Sequence, residues 1–173
     1  MSRLETLLSP EELEQRLDVL AATLNRDYAN EDLLLVGVLK GSYLFLAELS
    51  KRLKLDVQID FVQVSSYGNE KSSSGVVQIR KDLDTNIEGR NVLIVEDIVD
   101  TGATLKHLRE LFAVRKPKSI KFITLLSKSA ARQVDIEVEY VGFEIENHFV
   151  VGYGLDFAER YRNLPYVAVL RDS

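Results

Sequence analysis

The apolar residues of this chain alternate between a helical rhythm and short, dense runs. Leu13, Leu17, Leu20, Ala21 and Leu24 recur at the spacing of one helix face, and the pattern predicts an amphipathic helix. Ser9, Pro10 and Glu12 precede it as an N-cap, a proline at the first helical position and the acidic partner of a capping box. LLLVGV at 33–38 reads as a strand buried on both faces. Gly41 and Ser42 then open a second helix, with Leu44, Ala47, Leu49 and Leu53 expected inward. VQIDFVQVS at 57–65 alternates with period two, a serine-rich run follows, and 76–80 reads as a short strand, so 57–80 is predicted as a long hairpin. Val92 to Val95 form another buried strand, and Leu105, Leu108, Leu111 and Phe112 return to helical spacing. KFITLL at 121–126, then YVGFEI, FVVGYG and YVAVL, supply the remaining strands. Strands alternating with helices predict an α/β fold with a mostly parallel central sheet flanked by helices, its ligands lying outside the carboxyl ends of the strands.

Composition narrows the chemistry more than the fold. A chain of 173 residues, 46% hydrophobic and 28% charged, suits one domain, expected over 1–173. No apolar run approaches the roughly 20 residues needed to span a bilayer, and MSRLETLLSPEELEQ is too acidic for a signal peptide, so no membrane role and a cytoplasmic location are expected. A formal charge of -5 argues against non-specific attraction to nucleic acid. Without cysteine there is no thiolate catalysis or cysteine-based zinc site, so any metal falls to oxygen ligands, which favours magnesium or manganese. His107 and His148 lack any metal-ligand spacing and read as locally hydrogen-bonded or solvent-facing.

The candidate chemistry concentrates in NVLIVEDIVDTGATL, residues 91–105. A buried strand runs into Glu96, Asp97 and Asp100 and then into Thr101, Gly102, Ala103 and Thr104 at a helix start. Backbone N–H groups and two hydroxyls at the positive end of a helix bind phosphate. Three carboxylates would repel one, so the acids fit hydroxyls, a metal or a proton in transit. Elsewhere, Leu39-Lys40-Gly41 ends the first buried strand, SSYGNEKSSSG forms a polar, small-residue run, and Lys128 ends the KFITLLS strand. Taken alone, these would pass for an exposed turn, a solvated loop and a surface lysine.

The 91–105 segment resembles the 5-phosphoribosyl-1-pyrophosphate (PRPP) loop of the type I phosphoribosyltransferases: a hydrophobic strand, two acids, two apolar residues, a variable position, then T-G-x-T. The resemblance implies the type I fold, with a small hood formed by terminal segments. It assigns Glu96 and Asp97 to the ribose hydroxyls and Thr101, Gly102, Ala103 and Thr104 to the 5'-phosphate. The variable position, Asp100, is similar to the aspartate of 6-oxopurine enzymes that faces purine N7, which makes it the expected proton acceptor. Leu39-Lys40-Gly41 resembles the pyrophosphate loop with its non-proline cis peptide, so Lys40 and Gly41, joined by Arg162, are expected at the pyrophosphate. Ser66-Tyr67-Gly68 resembles the flexible lid, in which Ser66 and Tyr67 take part on closure.

Lys128 is similar to the lysine that donates to O6 of a 6-oxopurine, although relatives often read D-K-P where this chain has Ser127-Lys128-Ser129. That departure removes the proline that would stiffen the following turn. Arg132 falls where relatives also carry an arginine and is given no catalytic role. VGFEIENHFVVGYGLDFAERYRNLPYVAVL resembles the base-recognition end of hypoxanthine-guanine phosphoribosyltransferases. There Phe149 would stack on the purine, Val150 would offer backbone groups to its edge, and Asp156 would lie near base and metal. The implied cofactor is Mg2+, held by Glu96, Asp97 and Asp156. The implied assembly is a homodimer or homotetramer. The alternatives are a xanthine- or uracil-preferring relative and a non-catalytic PRPP-sensing regulator.

Overall fold

The computed structural model describes residues 2–66 and 77–172. Its centre is a six-stranded sheet in the order β4-β3-β2-β5-β6-β7, formed by β2 (Leu33–Leu39), β3 (Val57–Ser66), β4 (Val77–Lys81), β5 (Asn91–Val99), β6 (Ser119–Ser127) and β7 (Tyr140–Glu144). All neighbours are parallel except β3 and β4, which make the predicted hairpin. The continuous apolar runs divide by parity, as a doubly covered sheet requires. Leu33, Leu35, Leu93 and Val95 join one core, while Leu34, Val36, Val92 and Ile94 join the other.

Helices α1 (Pro10–Asp27) and α2 (Tyr43–Arg52) cover the first face, and α3 (Ala103–Ala113) covers the second through Leu105, Leu108 and Phe112. The start of α1 is as predicted: Ser9 Oγ accepts the Glu12 N–H at 3.1 Å, and Leu13, Leu17, Leu20, Ala21 and Leu24 are all buried. Helix α2 corrects the expectation. Its buried residues are Phe45, Leu46 and Leu49, whereas Leu44 and Leu53 are partly covered and Ala47 is exposed. The segment YLFLAEL is apolar on several sides, and the sheet selects the stripe that buries a phenylalanine and two leucines, each contributing about 2 kcal/mol when buried.

A second, antiparallel sheet, β1-β9-β8, joins β1 (Arg3–Leu8) to β8 (Val150–Val151) and β9 (Val167–Arg171). It is the expected hood of terminal segments, although no strand was predicted at residues 3–8. Among the described residues no helix is long and apolar enough to cross a membrane.

The strand order places a topological switch between β2 and β5, since β2 leads to β3 on one side and β5 leads to β6 on the other. Such a switch opens a crevice at the carboxyl ends of the strands. Here the opening has a definite start. The β2–β5 ladder ends at Gly37 opposite Val95, while β2 continues against β3 to Leu39 and β5 continues against β6 to Val99. Glu96 and Asp97 are the first residues past the divergence.

Candidate active site

The crevice is a cleft of about 380 Å³ whose lining includes Glu96, Asp97, Asp100, Thr101, Gly102 and Thr104, a volume within the usual range for small-molecule sites. Its apolar wall comes from Val38, Val64, Ile98, Val99 and Leu105, which were not singled out from the sequence because strand-end aliphatic residues read as core. The turn that ends β5 is built for an anion. Gly102 adopts a left-handed φ of 86° as the N-cap of α3, a conformation suited to glycine. Packing demands glycine as well, because a Cβ there would lie 2.8 Å from Ile136 Cγ2 and 3.1 Å from Arg132 Cδ. Thr101 Oγ1 accepts the Ala103 N–H at 3.2 Å, so that N–H, one of the expected phosphate donors, is already bonded within the turn.

Glu96 is buried and Asp97 is half-buried. Burial pushes both carboxyls above the ordinary range, and the neighbouring Asp97 charge pushes Glu96 further. Asp100 is half-exposed, and its Oδ1 stands 3.4 Å from Nζ of the buried Lys128. A carboxylate and an ammonium therefore sit side by side at adjacent strand ends. Lys128 is fixed by its N–H, which donates to the Val99 carbonyl at 2.9 Å.

A second group of residues lies against Asp97. The Leu39–Lys40 peptide is cis, as the resemblance implied. A Cβ on Gly41 would fall 1.8 Å from Asp97 Oδ2, and a Cβ on Gly154 would fall 2.0 Å from the Gly41 carbonyl oxygen. Gly41 is thus clamped between the β5 acid and the C-terminal loop. Arg162 Nη1 donates to the Gly154 carbonyl at 2.7 Å, and Nη2 lies 3.2 Å from Glu159 Oε1 and 3.4 Å from Asp156 Oδ1. The other oxygen of Glu159 pairs with Lys40 Nζ at 2.9 Å. One carboxylate, not anticipated from the sequence, therefore bridges the two cations expected at the pyrophosphate. Among the described residues, Ser42 Oγ and Arg162 Nε are buried without a hydrogen-bond partner.

Among the described residues, the loop carrying this group gathers most of the left-handed backbone. Gly152, Tyr153, Gly154, Ala158, Glu159 and Tyr161 all have positive φ, a conformation that costs non-glycine residues energy and gathers at functional sites. The FVVGYG run was predicted as a strand, yet only Val150–Val151 is one. Its neighbour Phe149 accepts the Leu170 N–H at 3.0 Å. Hydrogen-bonded pairs alternate along an antiparallel ladder, so the next residue, Val150, turns its N–H and C=O away from β9 toward the open sheet edge. Phe149 is 53% exposed and meets Phe157 edge-on at 5.7 Å between ring centroids.

The expected metal set is not assembled as one group. No cluster of three acidic or histidine side chains able to hold a metal occurs among the described residues. Asp156 lies on a different loop from Glu96 and Asp97; its Oδ2 accepts the Glu159 N–H at 2.9 Å while its Oδ1 faces Arg162. The buried acidic pair still fits magnesium, which characteristically takes one or two carboxylates and completes its shell with water and substrate phosphate. Of the predicted lid, Tyr67 lies outside the described residues, and Ser66 is described only as the end of β3.

Fold, switch-point cleft and phosphate-type turn together define an α/β protein with a phosphate-type cleft at the carboxyl ends of its strands, and comparison with known proteins assigns the lineage. The chain belongs to the phosphoribosyltransferase family, its residues 4–158 matching the phosphoribosyl transferase domain. It is 53% identical to the hypoxanthine-guanine phosphoribosyltransferase of Bacillus subtilis (strain 168) over 169 residues, which is 98% of this chain and 94% of that protein. The enzyme of that name from Streptococcus agalactiae serotype V is 53% identical with the same coverage. Among solved structures, a hypoxanthine phosphoribosyltransferase from Staphylococcus aureus matches with a TM-score of 0.93 and 48% identity, covering 96% of this chain and 91% of that one.

Proposed function

We propose that this protein transfers ribose 5-phosphate from PRPP to N9 of hypoxanthine or guanine, giving IMP or GMP and releasing pyrophosphate. The observation that carries the reading is the Asp100–Lys128 pair at 3.4 Å, beside the Thr101–Thr104 turn. A carboxylate that accepts a proton from N7 and an ammonium that donates to O6 match the two adjacent edge groups of a 6-oxopurine. Adenine would present an amino group to the ammonium instead, and uracil has no counterpart to N7. The names of the relatives point the same way and support none of the alternative bases.

In this reading the N–H groups and hydroxyls of the turn hold the 5'-phosphate, and Glu96 and Asp97 grip the ribose hydroxyls. Lys40, Gly41 and Arg162 face the pyrophosphate, whose negative charge they offset as the bond to C1' breaks. Phe149 stacks on the base and Val150 presents its backbone at the free edge of β8. Asp100 receives the N7 proton as N9 attacks, held within reach by the ladder between β5 and β6. Magnesium, held by Glu96 and Asp97 together with substrate oxygens, would supply further charge neutralisation of the leaving group. We place the enzyme in the cytoplasm as a homodimer or homotetramer.

A spectrophotometric assay with PRPP and magnesium against hypoxanthine, guanine, xanthine, adenine and uracil, blanked with EDTA, tests the proposal. Turnover of hypoxanthine and guanine with adenine and uracil inert is expected. Calorimetric binding of PRPP with no turnover of any base would replace the enzyme with a PRPP sensor.

A further inference from the structure

Two of the residues expected at the base, Asp100 and Lys128, stand just past the ends of β5 and β6, on separate loops. Arg132 spans both. Its Nη2 donates to Ser127 Oγ at 2.9 Å, and its Nη1 lies 3.4 Å from the Asp100 carbonyl oxygen. Its aliphatic stem packs on Gly102, where a Cβ would come within 3.1 Å of Arg132 Cδ. The backbone just after it closes the same junction, since the Gln133 and Val134 N–H groups both donate to the Thr101 carbonyl, at 3.0 and 3.2 Å. One side chain thus touches the phosphate turn, the main chain of the expected proton acceptor and the residue preceding the expected O6 donor.

We propose that Arg132 is the positioning residue for base recognition, tying Asp100 and Lys128 into a single register. The charged guanidinium spans two neutral acceptors, the Ser127 hydroxyl oxygen and the Asp100 carbonyl oxygen, so one side chain constrains both strand ends. With serine at 129, the turn is held by hydrogen bonds: Ser129 Oγ donates to Glu144 at 2.7 Å, and the 3-10 turn Ser129–Ala131 closes through the Ala131 N–H donating to the Lys128 carbonyl at 2.9 Å. In this role Arg132 acts through Asp100 and Ser127, which it holds.

The inference rests on the proposed function and is tested beside it. Arg132→Met keeps a stem able to pack on Gly102 and removes the guanidinium. Steady-state kinetics, with base and PRPP varied in turn, should show the KM for hypoxanthine raised about 10-fold, the scale of a lost charged hydrogen bond, with the KM for PRPP little changed. Guanidinium salt at low concentration or the Arg132→Lys variant should restore part of the loss, and Ser127→Ala should show a smaller shift in the same direction. Equal changes in both KM values, no change in either, or a fall in melting temperature without chemical rescue would overturn the positioning role. Lys128→Met, run in parallel, separates the two ideas. If it raises the hypoxanthine KM while Arg132→Met does not, only the positioning role fails; if it leaves that KM unchanged, the base reading itself fails.

Discussion

Glu96 and Asp97 show how one buried pair can oppose folding while serving a ligand. A carboxyl whose native pKa is raised binds its proton more tightly folded than unfolded, so it costs nothing below its unfolded pKa and costs stability progressively as the pH rises through the native one. For Glu96, raised by burial and by the Asp97 charge, this means that the ligand-free protein loses stability above the ordinary carboxylate range. Glu96→Gln should therefore melt higher than the parent at pH 8 and alongside it near pH 4, with activity strongly reduced; a thermal melt across that pH range checks it. Asp100→Asn tests the proton acceptor: kcat should fall by about 100-fold or more with the PRPP KM within about 3-fold, whereas a parallel fall in PRPP affinity would make Asp100 a binding residue. At this scale the sequence was informative. The acids and the T-G-x-T turn were legible by type and spacing, whereas Lys128, a surface lysine by its local sequence, drew a role only from the family resemblance. Glu159 was not, because nothing local marks a glutamate that pairs with a lysine 119 residues away.

Loops at strand ends make the site, and those carrying Gly41, Gly102 and Gly154 depend on a close approach that only glycine allows. Gly41→Ala would drive a methyl into Asp97 and should lower stability by about 1–3 kcal/mol and abolish tight pyrophosphate binding, read by calorimetry beside a melting curve. The C-terminal loop holds Glu159 between Lys40 and Arg162 through two exposed or partly exposed ion pairs. Such solvent-screened pairs are weak, so Glu159→Gln should free the cations and tighten pyrophosphate inhibition about 2- to 5-fold, while weaker inhibition would show that the glutamate orients them instead. Periodicity located β2, β5, β6, α1 and α3 because each buries a regular face. It misjudged α2, whose apolar residues surround the helix, and FVVGYG, whose left-handed residues at 152–154 bend an apparently strand-like run into a turn.

Across the molecule, the two sheets divide the work. The mostly parallel sheet carries the phosphate turn, the acids and Lys128, while the hood joins β1 to β9 and presents Val150 in β8 and Phe149 just before it. Weakening the hood should therefore be felt mainly by the base. Val169→Ala, which removes buried volume from the central hood strand β9, should raise the hypoxanthine KM several-fold and leave the PRPP KM unchanged in parallel titrations. The sequence by itself determined the α/β class, the places of most strands and helices, and the chemical kind of site, because burial periodicity and a contiguous strand-turn-helix motif are local properties written in consecutive residues. The tertiary structure alone decided where the β2–β5 ladder ends and the cleft opens, that Gly41 is pinned between Asp97 and Gly154, that Glu159 bridges Lys40 and Arg162, and that Arg132 joins the Asp100 loop to the end of β6. These are meetings between segments far apart in the chain, set by strand order and close backbone packing, and no local pattern of residues encodes them.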